Sequence, residues 1–252
     1  MRLFNKWLRR TLLLALCAGL LYLGWVTARQ MESRKVLESA AVSAVNAVQD
    51  AENDVCPIDF AQLKEHNSHI YAWLTIPGTQ INYPIHQHPE IDDYYLSHST
   101  QGRTSHEGAV FTEATYNSTD FADPVTLVYG HRRESEVIFG RLQEAYADSA
   151  SFETHQSFVI YLPERELHYE VFAALPYDAR HILYNYDFTR SRMFSKFFNS
   201  IFDTREIGVT LDEDLKPTPE EHVVILSTCL KGDDSRRFLV MAKCVQEIQY
   251  GS

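Results

Sequence analysis

Apolar and polar positions along the chain fall into three regimes. The first is an uncharged stretch, "TLLLALCAGLLYLGWVTA", covering 18 residues from 11 to 28. The second, "MESRKVLESAAVSAVNAVQDAEND" from Met31 to Asp54, is rich in Ala and Val with interspersed charges, and Pro57 follows it; this pattern predicts a helix. The third is a series of short apolar or alternating runs: "INYPIH", "GAVFTE", "PVTLVYGH", "SFVIYL", "HYEVFAAL", "VVILSTC" and "RFLVMAKCV". With the strand expected through Trp73 and Ile76, turned by Pro77 and Gly78, they predict seven or eight strands. Short strands with little helix between them indicate a closed or nearly closed β-barrel.

Helical periodicity interrupts this β pattern. A short helix is expected from Phe60 to Asn67. "SEVIFGRLQEAYAD" spaces Ile138, Phe139, Leu142 and Tyr146 at helical intervals, and "TRSRMFSKFFNSIFDT" gathers Met193, Phe194, Phe197, Phe198 and Ile201 on one side of a helix. An aromatic stripe of that kind is read as packing against the barrel.

Charge divides the chain. Arg2, Lys6, Arg9 and Arg10 precede the uncharged stretch, which is long enough to span about 30 Å of hydrocarbon. A cleaved signal peptide is the competing reading, but the run exceeds the usual apolar region of about 7 to 15 residues, so a retained anchor is expected. The leading cations place the N-terminus in the cytoplasm and the rest outside. The first 35 residues carry a net +6, leaving −17 for the rest of a chain whose formal total is −11. So acidic a domain excludes a nucleic-acid or anionic-lipid binder.

Of the four cysteines, Cys17 lies in the apolar stretch, so an external disulfide would use two of Cys56, Cys229 and Cys244 and leave one thiol over. The absence of a Cys-x-x-Cys pair excludes thioredoxin-like and zinc-ribbon chemistry. His86 and His88 share a strand face but lack a third ligand, and the acids of "GDD" and "LDEDL" lack an EF-hand register, so no metal and no cofactor is expected. "NST" at Asn117 is a glycosylation sequon by pattern only.

Candidate chemistry gathers at strand ends. Cys229 sits where "VVILSTC" passes into a polar loop, with Arg236 and Arg237 beyond the loop. Alternation puts Val125, Leu127, Tyr129 and His131 on one face, so His131 also emerges at a strand end, and Gly130 beside it allows a close approach. A cysteine nucleophile needs an acid-base partner and a donor for an oxyanion. Singly, these residues read as a small hydrophobe, a satisfied imidazole and a solvated charge; the case rests on their conjunction.

That conjunction resembles the sortases, and among them class B. The resemblance is carried by "LVYGH" ending at His131, "ILSTC" ending at Cys229 and "RFLVMAK" opening at Arg237, in family order. "INYPIHQ", "DDYYLSH", "EGAVF" and the helix near 194–202 extend it over nearly all of the expected external part. It implies a mostly β fold: an eight-stranded closed sortase barrel with N-terminal helices and a helix between its sixth and seventh strands, preceded by one transmembrane helix.

The expected division is a cytoplasmic tail at 1–10, a membrane anchor at 11–28, a helical stalk at 29–56 and a catalytic domain at 57–252. The implied activity is that of a membrane-anchored cysteine transpeptidase in a single-pass topology. Cys229 would attack after the Thr of a C-terminal sorting motif on a surface protein, and an amine of the peptidoglycan precursor would resolve the thioester. His131 would be general acid and base and Arg237 would steady the oxyanion. Strand alternation alone does not separate Arg236 from Arg237; the family places its arginine immediately before the apolar run, which selects Arg237. Tyr129 and Ser227 match positions near the family's active site and are expected on the substrate side. Asp92 stands where the family often has Asn, and Arg132 and Arg133 where it often has Asn or His and then Met; these departures bear on motif preference, and Asp92 is counted with the substrate-side residues. The alternatives are a pilin-polymerising sortase, a secreted thiol peptidase that only hydrolyses, and a non-enzymatic binding module.

Overall fold

The computed structural model describes residues 2–49, 55–131 and 138–251. The chain divides into two compact units between Ser39 and Ala40. The first contains most of α1 (Arg2–Gln49), which runs as one helix through the uncharged stretch. Among the described residues no helix is long and apolar enough to cross a membrane. Residues 11–14 lie outside those whose side chains are described, and the uncharged remainder up to Arg29 rises only about 21 Å against about 30 Å of hydrocarbon. The described residues therefore do not supply the transmembrane helix expected over 11–28. The helix expected to Asp54 is seen as far as Gln49; residues 50–54 lie outside the described residues.

In the second unit, Asp59 caps α2 (Phe60–His66) by accepting a hydrogen bond from the Gln62 amide at 2.9 Å. The strands are β1 (Ile70–Thr75), β2 (Asn82–His86), β3 (Val110–Phe111), β4 (Val125–Tyr129), β5 (Ser157–Tyr161), β6 (Arg165–Asp178), β7 (Thr210–Leu211), β8 (Val223–Leu230) and β9 (Asp233–Gln249). Their order is β5-β1-β2-β3-β4-β8-β9-β6-β7, and β5 also pairs with β6. That extra pairing closes eight strands into a barrel and leaves two-residue β7 as an appendage on β6. Pairing is parallel for β2 with β3 and for β4 with β8, and antiparallel elsewhere. Closure leaves the eight strands no long free edge.

Alternation builds two cores. One draws on every barrel strand, with Leu74, Ile85, Val110, Val128, Ile160, Val171, Leu226 and Val240 among its members, and so fills the interior. The opposite face of β4, β8 and β9 presents Val125, Leu127, Ile225, Leu239 and Met241 to the aromatic stripe of α6 (Ser191–Phe202). There Phe194, Phe197, Phe198 and Ile201 are buried, as the periodicity predicted, and so is Phe202, while Met193 is only half-buried. With α5 (Ile182–Asn185), α6 forms the connection between the sixth and seventh barrel strands. Of the other expected helix, 135–137 lie outside the described residues and the remainder forms a 3-10 turn, Ile138–Arg141, and α3 (Leu142–Ala145), with α4 (Ser149–Thr154) following it. Near β1, the Asn82 amide donates to the Ala41 carbonyl at 2.8 Å and the Tyr161 hydroxyl to that of Ala44 at 3.2 Å, which ties 40–49 into the barrel unit.

All four cysteines are free. The thiols of Cys56 and Cys244 donate to the carbonyls of Leu162 at 3.5 Å and Gln246 at 3.6 Å. Asn117 is a buried strut whose side chain donates to the Val125 carbonyl and accepts from the Leu127 amide. No set of three metal-ligating side chains occurs among the described residues. His86 is buried against the Val110 carbonyl at 2.8 Å, and His88 accepts from the amides of Glu90 and Ile91.

Candidate active site

The parallel pairing of β4 with β8 sets Tyr129 beside Ser227, and the antiparallel pairing of β8 with β9 sets Ser227 beside Leu239 and Cys229 beside Arg237. These residues share a face with the positions packed under α6. Beyond the helix that face is left uncovered and becomes the floor of a cleft of about 320 Å³. His131, Tyr129, Ser227, Cys229 and Arg237 all line it, so the structure brings together five of the six expected site residues from three strands. Asp92 is the exception. Its carboxylate accepts from the Thr115 amide at 3.1 Å, and its neighbour Asp93 lines the cleft instead. Arg132 and Arg133 lie outside the described residues.

Arg237 Nη1 is 3.8 Å from Cys229 Sγ and donates to the carbonyls of Asp234 at 3.1 Å and Arg236 at 3.2 Å. The guanidinium is thus fixed on its own chain and aimed at the sulfur. Arg236 forms a two-pronged contact with the Glu206 carboxylate instead. Alternation along β9 separates the two, because Arg237, Leu239 and Met241 share a face that Arg236 does not. The tight turn that returns β9 beside β8 uses Gly232 at φ +85, and Asp233 accepts from the Ser235 amide and hydroxyl. This accounts for the "GDD" run.

His131 lies just past β4, and its carbonyl accepts from the Phe139 amide at 3.2 Å. The close approach expected at Gly130 is made by Phe139, whose ring atoms would stand 2.4 Å from a Cβ there. Gly108, at φ +66, lies where a Cβ would be 2.4 Å from the Tyr95 carbonyl and 3.2 Å from His131 Cδ2. Gly108 thus leaves room for the His131 ring and Gly130 leaves room for Phe139 beside it, the first also needing glycine for its conformation.

The sequence reading missed Glu113, Tyr177, Asp178, Arg180 and His181, which also line the cleft. Glu113 Oε2 accepts from the Tyr129 hydroxyl at 3.1 Å and lies 2.8 Å from His181 Nε2. Burial raises the Glu113 carboxyl above its ordinary range, opposed by the bond from His181. Burial, then the adjacent Glu113, pushes the Tyr129 phenol well up, so it stays a neutral donor. Nothing in the alternation of "EGAVFTE" marks Glu113, because its partners come from β4 and from a loop nearly 70 residues on.

A thiol beside a fixed guanidinium, with an imidazole in the same open cleft, is an arrangement suited to acyl transfer through a covalent intermediate. Comparison with known proteins agrees. The sortase domain family model matches residues 74–245. Sortase B of Listeria monocytogenes is 24% identical over 248 residues, 96% of this chain and 98% of the relative. Sortase B of Staphylococcus aureus is 23% identical over 189 residues, 74% of this chain and 75% of the relative. Among solved structures, sortase B of Bacillus anthracis in complex with AAEK1 is 25% identical with a TM-score of 0.68, covering 87% of this chain and 99% of that one. A class B sortase of Streptococcus pyogenes involved in pilus biogenesis is 28% identical with a TM-score of 0.62, covering 75% and 98%. With the family model matched over residues 74–245 and the fold shared with a solved class B sortase, the chain belongs to the sortase family, as a class B sortase-type cysteine transpeptidase.

Proposed function

We propose that Cys229 is the nucleophile, His131 the general acid and base, and Arg237 the oxyanion donor, acting on surface proteins that carry a C-terminal sorting motif. The observation that carries this reading is the Cys229–Arg237 pair, 3.8 Å apart on adjoining strands at the floor of an open cleft that His131 also lines. Sγ, its proton passed to His131, attacks the carbonyl carbon of the motif's Thr, and the oxyanion forms beside the guanidinium. Collapse breaks the peptide C–N bond, the leaving amine takes a proton from His131, and a thioester on Cys229 remains. An incoming amine attacks that thioester, gives its proton to His131, and releases the thiol as the new amide forms. Tyr129 and Ser227 border the donor peptide on the floor; Asp92 acts from the rim through the loop it holds at Thr115.

The acceptor in this reading is an amine of the peptidoglycan precursor, and the enzyme works at the cell wall. Residues 1–10 form a cytoplasmic tail, 11–28 a membrane anchor and 29–56 a stalk, with the catalytic domain at 57–252 outside the membrane. The anchor is supported by the 18 uncharged residues, about 27 Å as a helix, and by the four cations that precede them. A second acceptor, an amine on a pilin subunit, is favoured by the pilus role of the S. pyogenes relative.

One experiment tests the core of the reading. With a Thr-containing sorting peptide, the full chain should release the C-terminal fragment, and added amine should divert the N-terminal product from acid to amide. Cys229→Ala should fold and do neither. Amine-insensitive formation of acid alone would identify a hydrolase, and turnover by folded Cys229→Ala would remove the nucleophile assignment.

A further inference from the structure

Glu113 stands two residues past β3 and His181 lies in the loop that leaves β6, and both line the cleft. Tyr129, on the floor, connects them. The Glu113 side chain is 13% exposed, and one of its oxygens meets both the Tyr129 hydroxyl at 3.1 Å and His181 Nε2 at 2.8 Å. His181 also caps α5, where its Nδ1 accepts from the Tyr184 amide at 3.1 Å. An imidazole that accepts at Nδ1 carries its proton on Nε2, so the cap fixes the tautomer that donates to Glu113. The Tyr116 ring packs 4.7 Å from that of His181. Asp92 is a second acid facing Glu113, and Arg237 faces Tyr129 from the Cys229 end.

We propose that Tyr129, Glu113 and His181 form a hydrogen-bonded strut that holds the loop from 178 to 187 as the second wall of the cleft. Glu113 and His181 are then positioning residues for the donor peptide, an inference that rests on the cleft being the donor-peptide site. Several features single out the strut. Residues 179 and 180 are exposed, and Arg180 binds Asp178 within the same loop, so neither anchors the loop to the opposite wall. Ile182 is buried and pins the base of α5 to the core, but on the floor side. The His181–Glu113 contact ties this loop to the segment after β3, and Tyr129 joins it to the strand that runs on to His131. Nothing in the proposed chemistry passes a proton through these groups, so their loss should weaken peptide capture and leave the bound reaction nearly intact.

Four full-chain proteins separate this from a general structural role: wild type, Glu113→Ala, Glu113→Gln and His181→Asn. The probe is the pentapeptide that the wild type cleaves fastest in a Thr-anchored fluorogenic library. Glu113→Ala should raise KM about tenfold or more, as loss of a hydrogen bond to a charged group does, with kcat changed less than about threefold. Glu113→Gln should recover most of this, because its amide oxygen still accepts from both donors. His181→Asn keeps a good N-cap but is too short to reach Glu113, so it should match Glu113→Ala. Amide hydrogen exchange needs no substrate: the amides of Tyr184, Asn185 and Tyr186 should exchange about tenfold faster in Glu113→Ala and His181→Asn than in wild type. The proposal is overturned if those amides are unchanged, if Glu113→Gln is as impaired as Glu113→Ala, or if kcat falls while KM holds. Failure of the catalytic reading shows separately, as a wild type that does not cleave the probe or a Cys229→Ala variant that does.

Discussion

Arg237→Ala tests the proposed oxyanion site most directly. The guanidinium is held by two carbonyls of its own strand, those of Asp234 and Arg236, and Nη1 lies 3.8 Å from Cys229 Sγ. Attack bonds the carbonyl carbon to that sulfur and leaves the oxyanion two bonds from it, so a donor already fixed there needs little rearrangement when charge develops. Removing one such donor costs about 2.7 to 4 kcal/mol of transition-state stabilisation, or roughly 10² to 10³ in kcat. Arg236→Ala is the internal control. Its contact with Glu206 is a partly exposed ion pair of the kind that contributes about 0 to 1 kcal/mol to stability, and it points away from the thiol. Its kcat should stay within about threefold of wild type. Arg237→Lys should recover little, because an ammonium keeps the charge but loses the planar fork of donors, of which Nη1 alone meets the two carbonyls and the sulfur. The assay is steady-state transpeptidation of a sorting peptide, with each variant's fold checked by thermal melt. A damaging Arg236→Ala beside a mild Arg237→Ala would refute the register-based argument.

Three further outcomes are expected. Gly130→Ala should lower stability by about 1 to 3 kcal/mol in a denaturant melt and depress activity with it, because the new Cβ would lie 2.4 Å from the Phe139 ring beside His131; an unaffected melt would mean that the 138–141 turn yields at no cost. Cys56 and Cys244, whose thiols burial pushes above their ordinary range, should resist alkylation at pH 8, and their replacement by Ser should leave transpeptidation intact. Removal of residues 1–28 should give a soluble, active protein, as a segment that supplies location and no catalytic group would; loss of activity in a folded truncation would contradict the proposed division.

Much of the fold and the centre of the site were legible in the chain itself. Alternation along "PVTLVYGH" and "VVILSTC" placed Tyr129 with Leu127 and set Cys229 at a strand end, and the 3.6-residue spacing of Phe194, Phe197, Phe198 and Ile201 gave α6 its buried face. These signals are local, because backbone geometry fixes which way each side chain points relative to its neighbours. Register between strands is not local. Alternation left two adjacent arginines open and the family resemblance selected Arg237; the pairing of Cys229 with Arg237 across the β8–β9 turn sets that guanidinium 3.8 Å from the sulfur. Closure of the barrel by β5 on β6 likewise joins strands whose other neighbours lie far apart in sequence. The cleft's far wall was beyond sequence reasoning for the same reason: Glu113 and His181 belong to segments with no shared periodicity, and only folding brings a buried carboxylate within 2.8 Å of the imidazole that satisfies it. From Ile138 on, the expected helix gives way to a 3-10 turn and one short helix, with Ile138 in a left-handed conformation at φ +61, where Phe139 reaches Gly130 and the His131 carbonyl. The chain's pattern thus determined which faces are buried and where the reactive side chains emerge, whereas the barrel's register decided which of them meet.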